Sequence, residues 1–220
     1  MEFKRITLLS GHYGSGKTNV AVNMVFKLKE QYSNVALADL DIVNPYFRSK
    51  DSQQDFIDAD IKFICSPYAN SNVDIPALPQ EMYAITDDSS LKVIVDVGGD
   101  DRGALALGRL SPKIIEENNY EMFMVINCFR PLTKDAQSTL EVMQEIEQAC
   151  KIKFTGLINN SNLGNLTTAQ DVLKSNNYAL AVQQASGVKL KLTTVKADLY
   201  EELKDKIENL FPLTLQKKII

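Results

Sequence analysis

The sequence predicts an α/β fold, in which helices flank a doubly wound and mainly parallel β-sheet. Two observations support this fold class. Short, continuous apolar runs alternate along the chain with longer segments of helical periodicity, which is the pattern of strand–helix–strand units. The apolar runs also lack a regular polar face, as expected for parallel strands that are covered on both sides.

The apolar runs of strand length are each bounded by polar turn residues, and we predict them to be strands. They cover residues 5–10, 35–39, 61–65, 91–96, 122–128, 154–159 and 190–195. Helices are predicted over residues 17–31, 104–118, 134–151, 167–186 and 198–210. In the first of these helices one face is apolar, and it consists of Val20, Ala21, Met24, Val25 and Leu28.

The chain of 220 residues is long enough for one well-buried domain or at most two small ones. Because no repeat, low-complexity segment or linker divides it, we expect a single domain over residues 1–220. The net charge of −4 and the pI of about 5.2 argue against nucleic acid as a partner. Three separated cysteines without a CxxC pair argue against a zinc or iron–sulfur site and against a disulfide framework.

Nothing in the sequence has the pattern of a targeting or membrane-spanning segment. The first residues lead directly into a strand-like run rather than a signal peptide. No apolar stretch approaches the roughly 20 residues that are needed to cross a bilayer. We therefore expect a cytoplasmic protein.

The most informative motif follows the first predicted strand. Residues 11–18 (GHYGSGKT) match the phosphate-binding pattern G-x-x-x-x-G-K-[ST] at every position, and a predicted helix follows. Backbone N–H groups of this loop would form an anion cradle at the helix N-terminus. Lys17 would reach the β- and γ-phosphates, and Thr18 would bind the Mg²⁺ that bridges them. We expect the whole loop to bind nucleotide: Gly11, His12, Tyr13, Gly14, Ser15, Gly16, Lys17 and Thr18.

His12 is the only histidine of the chain, and it lies inside this loop. A histidine beside phosphates could act as a general acid or base at neutral pH. The alternative, which we favour, is that His12 shapes the turn while its backbone N–H binds phosphate.

Carboxylates end two other predicted strands on the same edge of the sheet. Asp39 and Asp41 follow the second strand, and Asp96 ends the fourth. Such carboxylates orient the ligands of Mg²⁺ beside a phosphate loop, so we predict Asp39 and Asp96 to serve the metal and Asp41 to position the attacking water. The alternative is that they only begin turns, as Asp often does. Gly99, shortly after Asp96, could donate its N–H to the γ-phosphate.

Residues 44–48 (NPYFR) place two aromatic side chains, Tyr46 and Phe47, beside a proline in a predicted loop. Exposed aromatic residues of this kind indicate a switch segment or an interface. They could equally pin the loop to the core, and the sequence does not decide between the two.

Together these segments resemble the MinD/ParA branch of P-loop ATPases, which includes the CobQ/CobB-type nucleotide-binding domains of cobyrinic-acid synthases. The matching pieces are GHYGSGKT (11–18), ADLDI (38–42), VIVDVGG (93–99) and GLINN (156–160), in the family's order and spacing. The resemblance covers most of the chain and implies a mainly parallel sheet of seven or eight strands.

The resemblance also implies roles for single residues. Lys17 and Asp41 correspond to the catalytic residues, the second of which assists the attacking water. Asp96 corresponds to the Asp after the fourth strand, Gly99 to the glycine near the γ-phosphate, and Asn159 to the Asn that hydrogen-bonds adenine. An amide pairs well with adenine, and no guanine-reading N-K-x-D run follows 122–127. ATP with Mg²⁺ is therefore expected rather than GTP.

One position departs from the family pattern. MinD and ParA carry a signature lysine after the first glycine of the loop, and this lysine reaches across a dimer to the partner's nucleotide. His12 occupies that position here, and an imidazole is too short to replace the long cationic arm. A homodimer would need another cation, for which Arg48 and Arg102 are candidates.

The C-terminal segment has Leu199, Leu203, Ile207 and Leu210 at helical spacing, followed by Pro212. MinD ends in a membrane-binding helix, and the resemblance raises the same role here. Because Pro212 interrupts the pattern, we instead predict a final helix that packs on the sheet, and no membrane partner.

Three functions are compatible with these features. We favour a slow, Mg²⁺-dependent ATPase that acts as a nucleotide-controlled switch and is read by an unidentified protein partner. The first alternative is an ATP-dependent synthetase or kinase for a small metabolite, with a second pocket lined by residues 70–74 and Arg102. The second is a nucleotide-binding module with little turnover.

Overall fold

Eight parallel strands form one sheet in the part of the chain that the structure describes. This structure is a computed structural model, and it describes residues 2–40, 53–65, 80–99 and 101–214. The strands are Ile6–Ser10 (β1), Val35–Asp39 (β2), Lys62–Cys65 (β3), Lys92–Asp96 (β4), Tyr120–Ile126 (β5), Gly156–Asn159 (β6), Leu190–Lys196 (β7) and Leu210–Leu213 (β8). Their order is β3-β2-β4-β1-β5-β6-β7-β8, and each pairing is parallel.

Helices connect these strands and cover the sheet. They are Lys17–Lys29 (α1), Gln53–Asp58 (α2), Ala84–Asp87 (α3), Asp101–Glu117 (α4), Ala136–Cys150 (α5), Ala169–Ser186 (α6) and Tyr200–Leu203 (α7). Short 3-10 turns occur at Gln80–Tyr83, Pro131–Thr133, Gly164–Leu166 and Ala197–Leu199. The predicted α/β class is therefore confirmed, and the strand count is the higher of the two that the resemblance implied.

The strand order changes direction at β1. The chain first builds outward through β2 and β3, inserts β4 between β2 and β1, and then continues on the other side of β1 from β5 to β8. In open α/β sheets ligands bind outside the carboxyl ends of the strands at such a switch point. The loop that follows β1 lies at this point.

Apolar side chains are buried on both faces of the sheet. On one face, α1 and α2 pack over strand residues such as Leu9, Leu37 and Ile94. On the other face, α4, α5 and α6 cover residues such as Leu8, Val95 and Met124. The predicted apolar face of the first helix is buried: Val20, Ala21, Met24, Val25 and Leu28 are at most 1% exposed. The three-layer arrangement explains why the strands have no polar face.

The helix predicted over 198–210 is wrong. The chain forms only the 3-10 turn Ala197–Leu199 and the single turn α7, and it then reverses at Asn209, whose φ is 53°, into the short strand β8. β8 contains Pro212, which cannot donate a backbone hydrogen bond. An edge strand tolerates such a residue because only one of its sides is paired.

The helical spacing of leucines in this segment has a packing origin. Leu203 and Ile207 are buried in a small cluster with Val172 and Val195, beside the outer strands. The segment therefore packs on the sheet as predicted, although it is not a helix. Within the described ranges, no helix is both long and apolar enough to cross a membrane.

Arg5 joins three parts of the fold at the end of the sheet opposite to the phosphate loop. Its side chain is buried, with 4% exposed, and forms an ion pair with Glu117 at the end of α4. Its Nη1 also donates to the backbone oxygens of Ile85, Asp88 and Leu91, at 3.0, 3.1 and 3.2 Å. This one guanidinium therefore connects β1, α4 and the segment around α3.

We expect Arg5→Ala to lower the free energy of unfolding by at least about 2 kcal/mol, because buried carbonyl groups and a carboxylate lose their donor. Urea denaturation measures this change. Lys113→Ala is the matched control, since it breaks a solvent-exposed ion pair with Asp87, and exposed pairs contribute little. Equal destabilisation by the two variants would contradict the role given to Arg5.

Candidate functional site

The loop between β1 and α1 has the backbone geometry of an anion cradle. Gly11, Gly14 and Gly16 all have positive φ, at 149°, 78° and 86°. Gly16 is the N-cap of α1, and no side chain caps this helix end, so its first N–H groups point into the loop. Gly11 has no room for a larger residue, because a Cβ there would lie 2.4 Å from the carbonyl oxygen of Val125.

Lys17 is buried at the mouth of this loop, with 7% exposed. Its Nζ donates to the backbone oxygen of Gly11 at 3.0 Å and to that of His12 at 3.4 Å. Gly99 lies against the same place: a Cβ on Gly99 would be 2.8 Å from the Gly11 oxygen and 2.9 Å from Lys17 Nζ. The structure therefore brings together Lys17 and Gly99, which lie far apart in sequence.

The predicted metal residues also lie together. Thr18 Oγ1 donates to Asp96 Oδ2 at 2.6 Å. Asp39 and Asp96 are register partners on the adjacent strands β2 and β4, so their side chains share one face of the sheet. Both carboxylates are buried, with 8% and 3% exposed. A hydroxyl and two carboxylates are all-oxygen donors, which fits the ligand preference of Mg²⁺.

His12 and Tyr13 form the outer part of the loop. The His12 Nδ1 is 2.9 Å from the backbone oxygen of Tyr13, and the Tyr13 residue is 61% exposed. This contact joins neighbouring residues of the turn, and the role of His12 in phosphate binding stays a prediction. Several predicted residues lie outside the described part of the chain: Asp41, the segments 44–48 and 70–74, and the side chain of Arg102.

The side-chain amide of Asn159 forms its hydrogen bonds in the protein interior and not with the phosphate loop. It is fully buried at the end of β6, where its Nδ2 donates to Ser175 Oγ at 3.0 Å and its Oδ1 accepts from the Ser161 N–H at 3.2 Å. An adenine contact would require the amide to exchange these bonds. The role of Asn159 at the base therefore stays a prediction.

Asn160, the next residue, contacts the phosphate loop directly. Its Nδ2 donates to the backbone oxygen of Ser15 at 2.6 Å, and its Oδ1 accepts from Thr194 Oγ1 at 2.6 Å. Asn160 therefore ties the loop to β7 through two short hydrogen bonds. The two asparagines at the end of β6 were visible in the sequence, but the sequence did not indicate which of them faces the loop.

Arg130 is a second contact that the sequence did not predict. It lies after β5, and its Nε donates to the backbone oxygen of Gly14 at 2.8 Å. Residues 127 and 128 were predicted to continue the strand, whereas β5 ends at Ile126 and a loop follows. Because the loop position depends on tertiary packing, no local sequence signal identifies Arg130 as a neighbour of Gly14.

A glycine-rich phosphate loop at the head of a helix, beside the central strand of a parallel sheet, defines a P-loop nucleotide-binding domain. The family model described as the CobQ/CobB/MinD/ParA nucleotide binding domain matches residues 6–208, and the chain belongs to this family. No curated protein matches the sequence significantly.

Solved structures share the fold at low sequence identity. FtsY of Mycoplasma mycoides is 18% identical, with a TM-score of 0.52 and coverage of 88% of this chain and 63% of that chain. Chloroplast FtsY of Physcomitrella patens is 16% identical, with a TM-score of 0.59 and coverage of 88% and 59%. The signal recognition particle 54 kDa protein of Aeropyrum pernix K1, in complex with GDP, is 17% identical, with a TM-score of 0.55 and coverage of 87% and 41%. This chain thus spans less than two thirds of each of these proteins.

We expect Gly99→Ala to weaken nucleotide binding by about tenfold or more, because the new methyl group collides with the loop backbone and Lys17 Nζ. Isothermal titration calorimetry with ADP and a non-hydrolysable ATP analogue measures the loss.

Gly187→Ala is the matched control for this substitution. It places a methyl group in open space at the C-cap of α6, where φ is 73°. This variant should lose about 1 kcal/mol of stability and keep its affinity for nucleotide. If Gly99→Ala bound nucleotide as tightly as the wild type, the close approach of Gly99 to the loop would have no functional meaning.

Proposed function

We propose that this protein binds ATP with Mg²⁺ and hydrolyses it slowly, as a switch whose conformation a partner protein reads. The observation that carries the proposal is the assembly of Lys17, Gly99 and the Thr18–Asp96 pair around one phosphate loop. These groups come from two segments of the chain that are far apart in sequence, and they are the kinds of group that would hold a triphosphate and its metal.

Each residue has a distinct task in the proposed site. The N–H groups at the start of α1 bind the phosphate oxygens, and Lys17 neutralises charge at the β- and γ-positions. Thr18 and Asp96, with Asp39 beside them, would hold Mg²⁺. The metal, when bound, neutralises the charge that develops on the phosphate oxygens. Asp41 would orient the attacking water, a role that rests on the resemblance to the family.

The contact of Gly99 with the loop supports a switch. A Cβ on Gly103, in the first turn of α4, would lie 2.6 Å from the Cα of Gly98. The start of α4 therefore packs directly against the backbone of Gly98, the residue before Gly99. A γ-phosphate that binds or leaves beside Gly99 would therefore act on the start of α4. Small displacements at such a contact can move a packed helix.

Two observations bear on the choice of base. The segment from the end of β6 onward reads Asn159-Asn160-Ser161-Asn162 and contains no carboxylate. A carboxylate is the natural acceptor for the two adjacent N–H donors of guanine, and an amide suits adenine better. The complex of GDP with the Aeropyrum protein makes GTP the second candidate. Direct competition decides between them.

We expect purified protein to release phosphate from ATP in the presence of Mg²⁺ at roughly 10⁻⁴–10⁻² per second, the range of intrinsic hydrolysis by switch proteins. Unlabelled ATP should displace a fluorescent ATP analogue at a lower concentration than GTP does. Displacement by GTP but not by ATP would overturn the assignment of adenine as the base.

Phosphate release that occurs only after a small metabolite is added would contradict the switch and would favour a synthetase or kinase.

We expect Asp41→Asn to abolish hydrolysis while ATP binding is retained, because the water loses its orienting group. Asp96→Asn should instead remove the gain in affinity that Mg²⁺ gives, since the metal loses a carboxylate beside Thr18. Phosphate release and Mg²⁺-dependent titrations measure the two effects. Asp88→Asn, at a half-buried position after α3 and away from the phosphate loop, is the control and should match the wild type. Unchanged hydrolysis in Asp41→Asn would contradict the assigned role.

A further inference from the structure

We propose that Arg130 is a positioning residue of the phosphate site and its second cationic group. It would hold the Gly14 peptide in the orientation that binds phosphate and would add positive charge beside Lys17. The inference rests on nucleotide binding by the loop, as proposed above, and assigns a role to a residue outside the sequence motif.

The contact between Arg130 and the loop is direct and long-range. Arg130 Nε donates to the backbone oxygen of Gly14 at 2.8 Å, across 116 positions of sequence. A Cβ on Gly14 would lie 3.3 Å from Arg130 Nε and 3.5 Å from its Cδ. The arginine therefore packs against this peptide unit. A carbonyl that is held outward by a donor leaves the neighbouring N–H groups of the loop free to point inward.

Arg130 and Asn160 act on consecutive carbonyl groups of the loop. Asn160 Nδ2 donates to Ser15 O at 2.6 Å, next to the bond that Arg130 makes with Gly14. Two side chains from different strand ends thus fix the outer side of the turn. A cradle that is fixed before the ligand arrives pays less ordering entropy on binding.

The loop that carries Arg130 is itself firmly held. Thr133 Oγ1 donates to the Asn127 backbone oxygen at 2.8 Å, and the Arg130 N–H donates to the same oxygen at 3.1 Å. Pro131 opens the 3-10 turn that follows, where its fixed φ suits the helical start. Cys128 N–H also donates to Ser161 Oγ at 3.0 Å. These hydrogen bonds fix the backbone from which the Arg130 side chain extends toward the phosphate loop.

The described part of the chain places no acidic partner on the Arg130 guanidinium. Among the described residues, no carboxylate forms an ion pair with Arg130. Lys17 is the single lysine or arginine within residues 11–18. A guanidinium in contact with the loop therefore strengthens the attraction for an anionic ligand. Its Nη groups, for which the described residues supply no hydrogen-bond acceptor, are further donors that suit phosphate oxygens.

The test compares Arg130→Ala, Arg130→Lys and Arg130→Gln with the wild type. Arg109→Ala, which removes an exposed arginine from α4, is the matched control. Calorimetry with ADP and a non-hydrolysable ATP analogue, at low and at high salt, gives the affinity and its salt dependence. Thermal melting reports the stability of each variant.

We expect Arg130→Ala to bind the ATP analogue about tenfold or more weakly, because a charge-assisted contact is lost. Its affinity should also depend less on salt, since one cation is missing. Arg130→Lys should keep the salt dependence but recover only part of the affinity, because an ammonium group lacks the rigid, planar set of donors of a guanidinium. Arg130→Gln, which also removes the charge, should show the same reduced salt dependence as Arg130→Ala, and Arg109→Ala should match the wild type.

Two results would overturn the inference alone. One is an Arg130→Ala variant that binds the analogue as tightly as the wild type. The other is a parallel loss of affinity and thermal stability in all three Arg130 variants, which would mean that Arg130 stabilises the fold and not specifically the phosphate site. If the wild type bound no nucleotide, the proposed function would fail together with this inference.

Discussion

The turn from β1 into α1 is the constraint on which the rest of the site depends. Within a few residues the backbone must leave a central strand, turn its N–H groups inward and enter a helix. Glycines with positive φ at positions 11, 14 and 16 make this path accessible. Asn160 and Arg130 hold two of the carbonyl groups outward. The cradle is thus a property of backbone conformation that distant side chains stabilise.

The position of β1 in the sheet determines which residues meet this turn. β4 is its neighbour on one side, so Asp96 reaches Thr18 and Gly99 reaches Lys17. In the structure Lys17 and Thr18 already bond to protein oxygens. A phosphate group and a metal would exchange these bonds for others of similar kind, so a largely preformed site would accept its ligand with little rearrangement.

The sequence predicted those parts of the fold and the site that local patterns determine. Apolar runs located seven of the strands, and the motif located the loop. The helix predicted over residues 198–210 was wrong because Leu203 and Ile207 have helical spacing, yet they pack on the sheet from a short helical turn and the turn that follows it. β8 tolerates Pro212 only because it lies at the edge of the sheet. Arg130 and Asn160 could not be found, since their contact with the loop depends on how separate strand ends meet. Asn159 and Asn160 look alike in sequence, and only packing separates their surroundings.

The central claim is that the loop of residues 11–18 binds a nucleotide through Lys17. Titration of a non-hydrolysable ATP analogue in the presence of Mg²⁺, followed by calorimetry for the wild type and Lys17→Ala, tests it most directly. Because the lysine charge acts on the phosphates at close range, the variant should lose at least about a hundredfold in affinity while circular dichroism shows an intact fold. An affinity equal to that of the wild type in Lys17→Ala would contradict the account.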